Sequence, residues 1–381
     1  MHKKFDDIRP YFDSELPEAM KRIADSEYFP ALAQFVFPDL SVDDVKKIAK
    51  GYANIYEFQS DAMSKFNEQV IARSVDKFTY SGFEHLDPAK AYLFVSNHRD
   101  IVLDSSLLQY LLLKNGFRTT DITFGSNLMS SQLIIDLGRA NKMFKVMRGE
   151  TPRDFYKTSL HLSEYIRHAI TERNESVWIA QRSGRTKDGN DATEQGLIKM
   201  FCMSGGKNAK TALHTLNVVP VAISYQYEPC DFFKTRELYL SRNQEKYVKA
   251  KDEDLVSVLT GITQFKGNVN ISICEPLQKE ELDVRLLDTN LESNSQFYKH
   301  AVNIINQRIY NNYKLFDTNY IAHDLRSNTN SYAEHYSPQN KERFIHLYDE
   351  VLDKFDTDKE IVSEIFLGIY ANSVDNILGC Q

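Results

Sequence analysis

The feature of this chain that most restricts its fold is the alternation of short apolar runs with amphipathic stretches between residues 91 and 273. The first run, residues 91–95, is almost uninterrupted, as a parallel strand buried on both faces requires. Residues 101–113 then place apolar side chains three and four positions apart, which is the spacing of a helix. Similar runs, at 122–124, 143–147, 176–180, 218–223 and 269–273, alternate with helical spacing at 155–173 and 196–203. The alternation predicts an α/β sheet with flanking helices.

The segments on either side of this alternation are predicted to be helical. We expect three units: a helical N-terminal segment over residues 1–78, an α/β domain over 79–285 and a helical C-terminal segment over 286–381. The helical spacing continues as far as residue 78 at one end and covers 294–312, 339–356 and 359–378 at the other. The polar residues 316–337 between these helices are predicted to form a loop.

Composition and charge exclude several classes of protein. The chain has 381 residues, of which 42% are hydrophobic and 26% charged, so it should fold rather than remain disordered. A net charge of -7 argues against a general nucleic-acid binder. No apolar run is long enough to cross a membrane, and the first residues lead into charge rather than a signal segment. The four cysteines are too scattered for a zinc site or a disulfide framework, so we expect a cytoplasmic protein with reduced thiols.

The segment with the most chemical information is Ser-Asn-His-Arg-Asp-Ile-Val-Leu-Asp at 96–104. It places His98 at the carboxyl end of a predicted strand, where open α/β sheets bind their ligands. Histidine acts as a general base near neutral pH, and a carboxylate bonded to its second ring nitrogen fixes the tautomer. Both Asp100 and Asp104 follow closely enough to be that carboxylate.

Four motifs in one order resemble the glycerolipid acyltransferases, the superfamily of glycerol-3-phosphate and 1-acylglycerol-3-phosphate acyltransferases. The first is residues 82–88, then a strand, then Asn97-His98 with a following acid, and the second runs from residue 125 to Arg148-Gly149. The third, residues 181–189, is similar to a family loop that reads Glu-Gly-Thr-Arg, and the fourth is the proline-bearing strand at 219–223. Together the motifs cover residues 80–225.

The sequence departs from the family pattern at two positions. The family has four residues between the histidine and the aspartate, whereas five separate His98 from Asp104 here. We favour Asp104 as the partner, through a bulge or a first turn that is not fully helical, and expect Asp100 to cap the helix. In the third motif, Arg182 or Ser183 stands where the family has a glutamate, which puts the acceptor in doubt more than the chemistry.

The resemblance implies transfer of a fatty acyl group from acyl-CoA or acyl carrier protein to a hydroxyl of glycerol 3-phosphate or a lysophospholipid. His98 would be the base and Asp104 its orienting partner. The residues implied in substrate binding are Asn97, Arg148, Gly149, Arg182, Ser183, Gly184 and Arg185, of which Arg148 and Arg185 would bind phosphate. We expect no metal and no cofactor besides the acyl donor, and no nucleic-acid partner. The alternatives are acylation of another hydroxyl, such as that of an amino-acid-containing acyl lipid, or an inactive homologue that binds lipid or acyl carrier protein.

Such substrates imply contact with the cytoplasmic face of a membrane. Two segments are candidates for a peripheral membrane surface: the aromatic patch at residues 28–37 and the helix at 101–113. For both segments we favour packing onto the protein core, and for the aromatic patch the reason is that exposed apolar patches are the exception in soluble proteins.

Overall fold

A seven-stranded sheet forms the centre of the molecule. The computed structural model describes residues 3–147, 149, 151–242, 247, 249–250, 252–283 and 294–379. The strands are β1 (Val75–Ser81), β2 (Leu93–Ser96), β3 (Asp121–Gly125), β4 (Met143–Val146), β5 (Val177–Ala180), β6 (Val218–Tyr225) and β7 (Gly267–Ile273). Their order is β1-β7-β6-β2-β5-β3-β4. Strands β2 to β6 are parallel, whereas β7 is antiparallel to β6 and parallel to β1. The predicted α/β fold is confirmed, and the carboxyl ends of β2 to β6 share one edge.

Helices cover both faces of the sheet because its central strands are apolar on both sides. In β2, Leu93 and Val95 pack into the cluster on one face, and Phe94 packs into the cluster on the other. The helices of this part of the chain are α6 (Leu103–Lys114), α7 (Gln132–Ala140), α8 (Pro152–Thr171), α9 (Gln195–Met203), α10 (Ala209–His214), α11 (Asp231–Ser241) and α12 (Glu253–Thr263). The buried polar residue Asp104 lies in the first turn of α6, after the loop that follows β2.

The N-terminal helices pack around their own apolar cluster and against α7. They are α1 (Leu16–Ala24), α2 (Phe29–Val36), α3 (Val42–Gly51), α4 (Ile55–Phe58) and α5 (Ser64–Ser74), with one π-helical turn at Gln59–Met63. The prediction of helix as far as residue 78 was wrong, because the chain enters strand β1 at Val75. The aromatic patch at 28–37 forms α2 and packs mainly inward: Phe29 and Phe37 are buried, while Tyr28 is exposed.

The C-terminal helices form a further layer of the molecule around the last of them. They are α13 (Asn294–Asn312), α14 (Asp317–Ser327), α15 (Pro338–Leu352) and α16 (Lys359–Leu378). The prediction of a loop over residues 316–337 was wrong, because α14 occupies its first half. The prediction took the polar residues of α14 as a sign of an exposed loop. Asn319 is instead buried and donates its side-chain amide to the carbonyl of Tyr370, so its polarity is satisfied inside the fold.

No helix in the described part of the chain is long and apolar enough to span a bilayer. The helix that we considered as a membrane contact at residues 101–113 corresponds to α6, and the structure buries it on nearly all sides within the core. The favoured expectation, that this helix packs into the core, is confirmed, because α6 supplies apolar side chains such as Leu107 and Leu111 to the cluster on one face of the sheet.

Candidate active site

His98 lies just beyond the carboxyl end of β2, in a loop held from below by Asn97. The Asn97 amide donates to Asp191 Oδ2 (3.0 Å) and to the Ile223 carbonyl (2.9 Å), and it accepts from the Ile223 amide (2.8 Å). Asn97 is therefore completely buried and its side chain is used within the protein. This residue, implied in substrate binding, ties the loop to β6 in the structure.

The structure brings His98 and Asp104 together. His98 Nδ1 lies 2.9 Å from Asp104 Oδ2, and the histidine side chain keeps 14% of its surface exposed while the aspartate has none. Helix α6 begins only at Leu103, so the loop before it is not helical and can accommodate the five intervening residues. With Nδ1 donating to the carboxylate, the lone pair of Nε2 is available for a substrate proton.

Asp104 is fixed by three further donors. Its Oδ2 also accepts from the backbone amides of Arg99 (2.6 Å) and Asp100 (2.9 Å), and its Oδ1 accepts from the Tyr225 hydroxyl (2.8 Å). Burial, followed by the charge of Asp104, raises the pKa of Tyr225 well above its ordinary value, so the phenol remains a neutral donor. Sequence reasoning missed Tyr225: its place at the end of strand β6 was a signal, but nothing local connects it to Asp104.

Asp100 has the capping role expected of it. Its Oδ1 accepts from the amides of Val102 and Leu103, both at 2.8 Å, while its buried Oδ2 has no partner among the described residues. Burial and the nearby charge of Asp104 raise the pKa of the Asp100 carboxyl. Gly261 of α12 lies directly over it, because a Cβ at that position would be 2.0 Å from Asp100 Oδ2.

The loop after β5 places the third motif beside His98. The Thr186 amide donates to the His98 carbonyl (2.7 Å), which joins the two loops. In this loop Ser183 and Gly184 are exposed, Arg182 is half-buried, and Arg185 is only 8% exposed. Lys187 of the same loop pairs with Glu237.

Unpartnered buried polar atoms concentrate at these two loops. In the part of the chain that the structure describes, eight buried side-chain atoms have no hydrogen-bond partner, and five of them belong here: Asp100 Oδ2, Gln181 Nε2, Arg182 Nε, Arg185 Nη1 and Thr186 Oγ1. Buried polar atoms in proteins are nearly always bonded. Such a concentration next to a histidine–carboxylate pair is typical of a site that receives a polar ligand.

The structure describes only part of the second motif, which runs from residue 125 to Gly149. Arg148 lies outside the described residues. Gly149 contacts the first turn of α8 so closely that a Cβ would be 2.2 Å from the Phe155 amide nitrogen, so the chain requires glycine there.

Within the described residues, no group of three or more histidine, cysteine, aspartate or glutamate side chains is arranged to hold a metal ion.

Sequence reasoning missed a buried ion network below the site. Arg99 is 1% exposed and pairs with Asp191 (2.6 Å) and Glu228 (3.2 Å), and Lys234 pairs with the same glutamate. The only signal for Arg99 in the sequence was its position next to His98, because its partners Asp191 and Glu228 lie far away along the chain.

Comparisons with known proteins give little beyond the fold. No family model matches the chain, and no curated protein sequence matches it significantly. Among solved structures, the chain is similar to the 1-acyl-sn-glycerophosphate (LPA) acyltransferase PlsC from Thermotoga maritima, at 13% identity and a TM-score of 0.37. The match covers 77% of this chain and 92% of that one. A likeness at this level is a distant one of fold, so the function has to be argued from the residues of the site.

Proposed function

We propose that this protein is an O-acyltransferase that moves a fatty acyl group from acyl-CoA or acyl carrier protein to a hydroxyl of glycerol 3-phosphate or a lysophospholipid, in phospholipid biosynthesis. The observation that carries the proposal is the pair of His98 Nδ1 and Asp104 Oδ2 at 2.9 Å, at the carboxyl edge of the sheet. Arg182 and Arg185, each with an unpartnered buried nitrogen in the adjoining loop, support an acceptor that carries a phosphate.

In the proposed reaction, His98 Nε2 takes the proton of the acceptor hydroxyl as that oxygen attacks the thioester carbonyl carbon. The new C–O bond forms, the tetrahedral intermediate collapses with loss of the C–S bond, and the imidazolium gives its proton to the thiolate. Asp104 accepts the hydrogen bond from Nδ1 throughout and stabilises the imidazolium. Because three other donors hold that carboxylate, the ring is oriented before substrate binds.

The proposal is tested by mass-spectrometric detection of acyl transfer with purified protein. Acyl-CoA and acyl carrier protein donors are paired with glycerol 3-phosphate, lysophosphatidic acid and an N-acyl amino-acid lipid that carries a free hydroxyl. His98→Ala and Asp104→Asn should each lower turnover by about 10²- to 10⁴-fold. His346→Ala is the matched control, because His346 also pairs with a carboxylate, that of Glu350 at 3.3 Å, but is exposed on α15.

The acceptor that gives product identifies the substrate class. Product only with the amino-acid lipid would favour the alternative acceptor, which the arginine or serine at 182–183 in place of an acid would suit. Product that persists in His98→Ala would refute the proposed base. Donor binding without turnover on any acceptor would favour an inactive homologue.

A further inference from the structure

Two consecutive peptide units of the loop that carries His98 hold the carboxylate of Asp104. The His98–Arg99 unit donates its N–H to Asp104 Oδ2 at 2.6 Å, and the Arg99–Asp100 unit donates its N–H to the same oxygen at 2.9 Å. In a trans peptide unit, such as these two, the carbonyl points away from the N–H. The partner of each carbonyl therefore fixes the direction in which the amide points at Asp104.

The two carbonyls have different partners. The carbonyl of His98 accepts from a neutral donor, the Thr186 amide, at 2.7 Å. The carbonyl of Arg99 accepts from the ammonium group of Lys234 at 2.6 Å. Lys234 comes from α11 and its side chain is only 1% exposed, so this contact is shielded from water. A charged donor in such surroundings polarises the peptide unit that it binds, and the N–H of that unit becomes a stronger donor.

A buried carboxylate holds Lys234 in place for this contact. The ion pair of Lys234 with Glu228 joins two side chains that are 1% and 3% exposed. Glu228 also pairs with the guanidinium of Arg99 at 3.2 Å, so the same carboxylate binds the loop directly and, through Lys234, at its carbonyl. A chain of contacts thus leads from Lys234 through one peptide unit to Asp104, and from there to His98.

We propose that Lys234 is a positioning residue of the active site, whose ammonium group holds and polarises the Arg99–Asp100 peptide unit that donates to Asp104. Lys234 acts on His98 indirectly, through this peptide unit and the carboxylate. Because donors that are fixed before substrate binds need no reorganisation during the reaction, the effect is expected in the chemical step rather than in substrate binding. The role of Lys234 in turnover rests on the proposed function, whereas its effect on the protonation of His98 does not.

Steady-state acyl transfer tests the role of Lys234 in turnover. Lys234→Met should lower kcat by about 10- to 100-fold and leave KM nearly unchanged, because the change affects the orientation of the base. Lys266→Met is the matched control. Lys266 is also fully buried and also donates to a backbone carbonyl, that of Gln264 at 2.6 Å, but this carbonyl lies outside the loop of His98. The control should leave kcat nearly unchanged.

Lys234→Met also leaves Glu228 with one cation fewer, which lowers the stability of the fold. The same change is therefore made in the Glu228→Gln background as well, where the ion pair is removed as a whole. Glu228→Gln alone leaves the bond between Lys234 and the Arg99 carbonyl. In both backgrounds, the larger loss of kcat should follow the replacement of Lys234.

A second measurement needs no substrate, because the single tryptophan of the chain lies beside the proposed base. The rings of Trp178 and His98 are 5.8 Å apart in an edge-on arrangement. A protonated imidazole quenches a neighbouring indole more strongly than a neutral one does. The pH titration of tryptophan fluorescence should therefore follow the protonation of His98 and be absent in His98→Gln.

Replacement of Lys234 should move the midpoint of this fluorescence titration to higher pH. Loss of its positive charge and weaker donation to Asp104 both favour the imidazolium. The shift should exceed that of Lys266→Met, which also removes one buried amine but leaves the loop of His98 intact. The other groups around the pair that carry or exchange charge are the same in both variants: Arg99, Asp100, Arg185, Tyr225 and Glu228.

Other outcomes overturn the proposal. Lower stability of Lys234→Met with an unchanged kcat would make Lys234 a part of the scaffold only, and a rise in KM alone would assign it to substrate binding. A fluorescence midpoint that moves no further than in Lys266→Met would refute the effect on His98. If the unmodified chain transfers no acyl group to any acceptor, the proposed function fails, and the fluorescence titration still decides the role of Lys234.

Discussion

Replacement of Arg99 by methionine should destabilise the protein more than any change to a surface ion pair. The guanidinium is buried and donates to Asp191, to Glu228 and to the Ser373 hydroxyl (3.1 Å). Without it, Glu228 keeps Lys234 as a cation, whereas among the described residues Asp191 keeps the Asn97 amide and no cation. Removal of one partner from a buried ion network costs about 3–5 kcal/mol, because it leaves a buried charge uncompensated.

The free energy of unfolding would be measured by urea denaturation of Arg99→Met beside Arg118→Met. Arg118 is 55% exposed and pairs with Glu175 at 3.1 Å, so its loss should cost less than about 1 kcal/mol. Ser373→Ala, which removes one neutral acceptor from the same guanidinium, should cost about 1–2 kcal/mol and remains measurable if Arg99→Met does not fold. Equal costs for Arg99→Met and Arg118→Met, or no cost for Ser373→Ala, would refute the argument that the network stabilises the fold.

Three further outcomes are expected. Gly261→Ala should destabilise the protein, because its Cβ would lie 2.0 Å from Asp100 Oδ2. At Gly368 the nearest neighbour of an added Cβ is 3.7 Å away, so Gly368→Ala should stabilise α16 by up to about 1 kcal/mol. Thermal unfolding of the two variants measures both effects. Burial lowers the pKa of Lys266 from 10.5 to about 8. Between these two pH values the unfolded chain binds more protons than the folded one, so the stability of the folded protein should rise with pH across that window. In urea titrations at several pH values, the free energy of unfolding of Lys266→Met should lack this rise, which is at most about 3 kcal/mol. Parallel pH profiles for the variant and the unmodified protein would contradict this prediction. Tyr225→Phe should lower kcat more than it raises KM in steady-state kinetics, because it frees one oxygen of Asp104 without touching substrate.

The parts of the fold that could be predicted from the sequence are those whose pattern is local. Strand β2 and helix α13 follow from runs and spacings within a few residues. Strand β1 could not be recognised in this way, because Val75 and Phe78 keep the three-residue spacing of the preceding helix across an irregularity in the strand, and its pairing partner β7 lies far along the chain. Helix α14 was missed for a related reason: the polarity of its buried Asn319 is satisfied by the carbonyl of Tyr370, which lies far along the chain.

In the candidate site, too, the features that follow from local sequence could be predicted, and those that depend on distant residues could not. The motif order placed His98 and Asp104 in one turn, and the structure gives their nitrogen–oxygen distance as 2.9 Å. Local spacing could not supply the remaining support for Asp104, because the Tyr225 hydroxyl comes from a strand 121 positions away. Nor could it supply the pairing of Arg99 with Asp191, which joins two loops across 92 positions.

The C-terminal segment is part of the scaffold of the site, although the sequence sets it apart as a separate helical unit. Helix α16 contacts two loops and the start of α11 at the carboxyl edge: Ser373 accepts from Arg99, Asn372 donates to the Asp188 carbonyl (2.7 Å), and the Tyr370 hydroxyl donates to Asp231 (2.8 Å). The contact with the loop after β5 is so close that a Cβ on Gly189 would lie 2.2 Å from a backbone oxygen of α16. Because the same loops hold His98 and Arg185, a displacement of α16 would move the proposed base and the proposed phosphate ligand relative to each other.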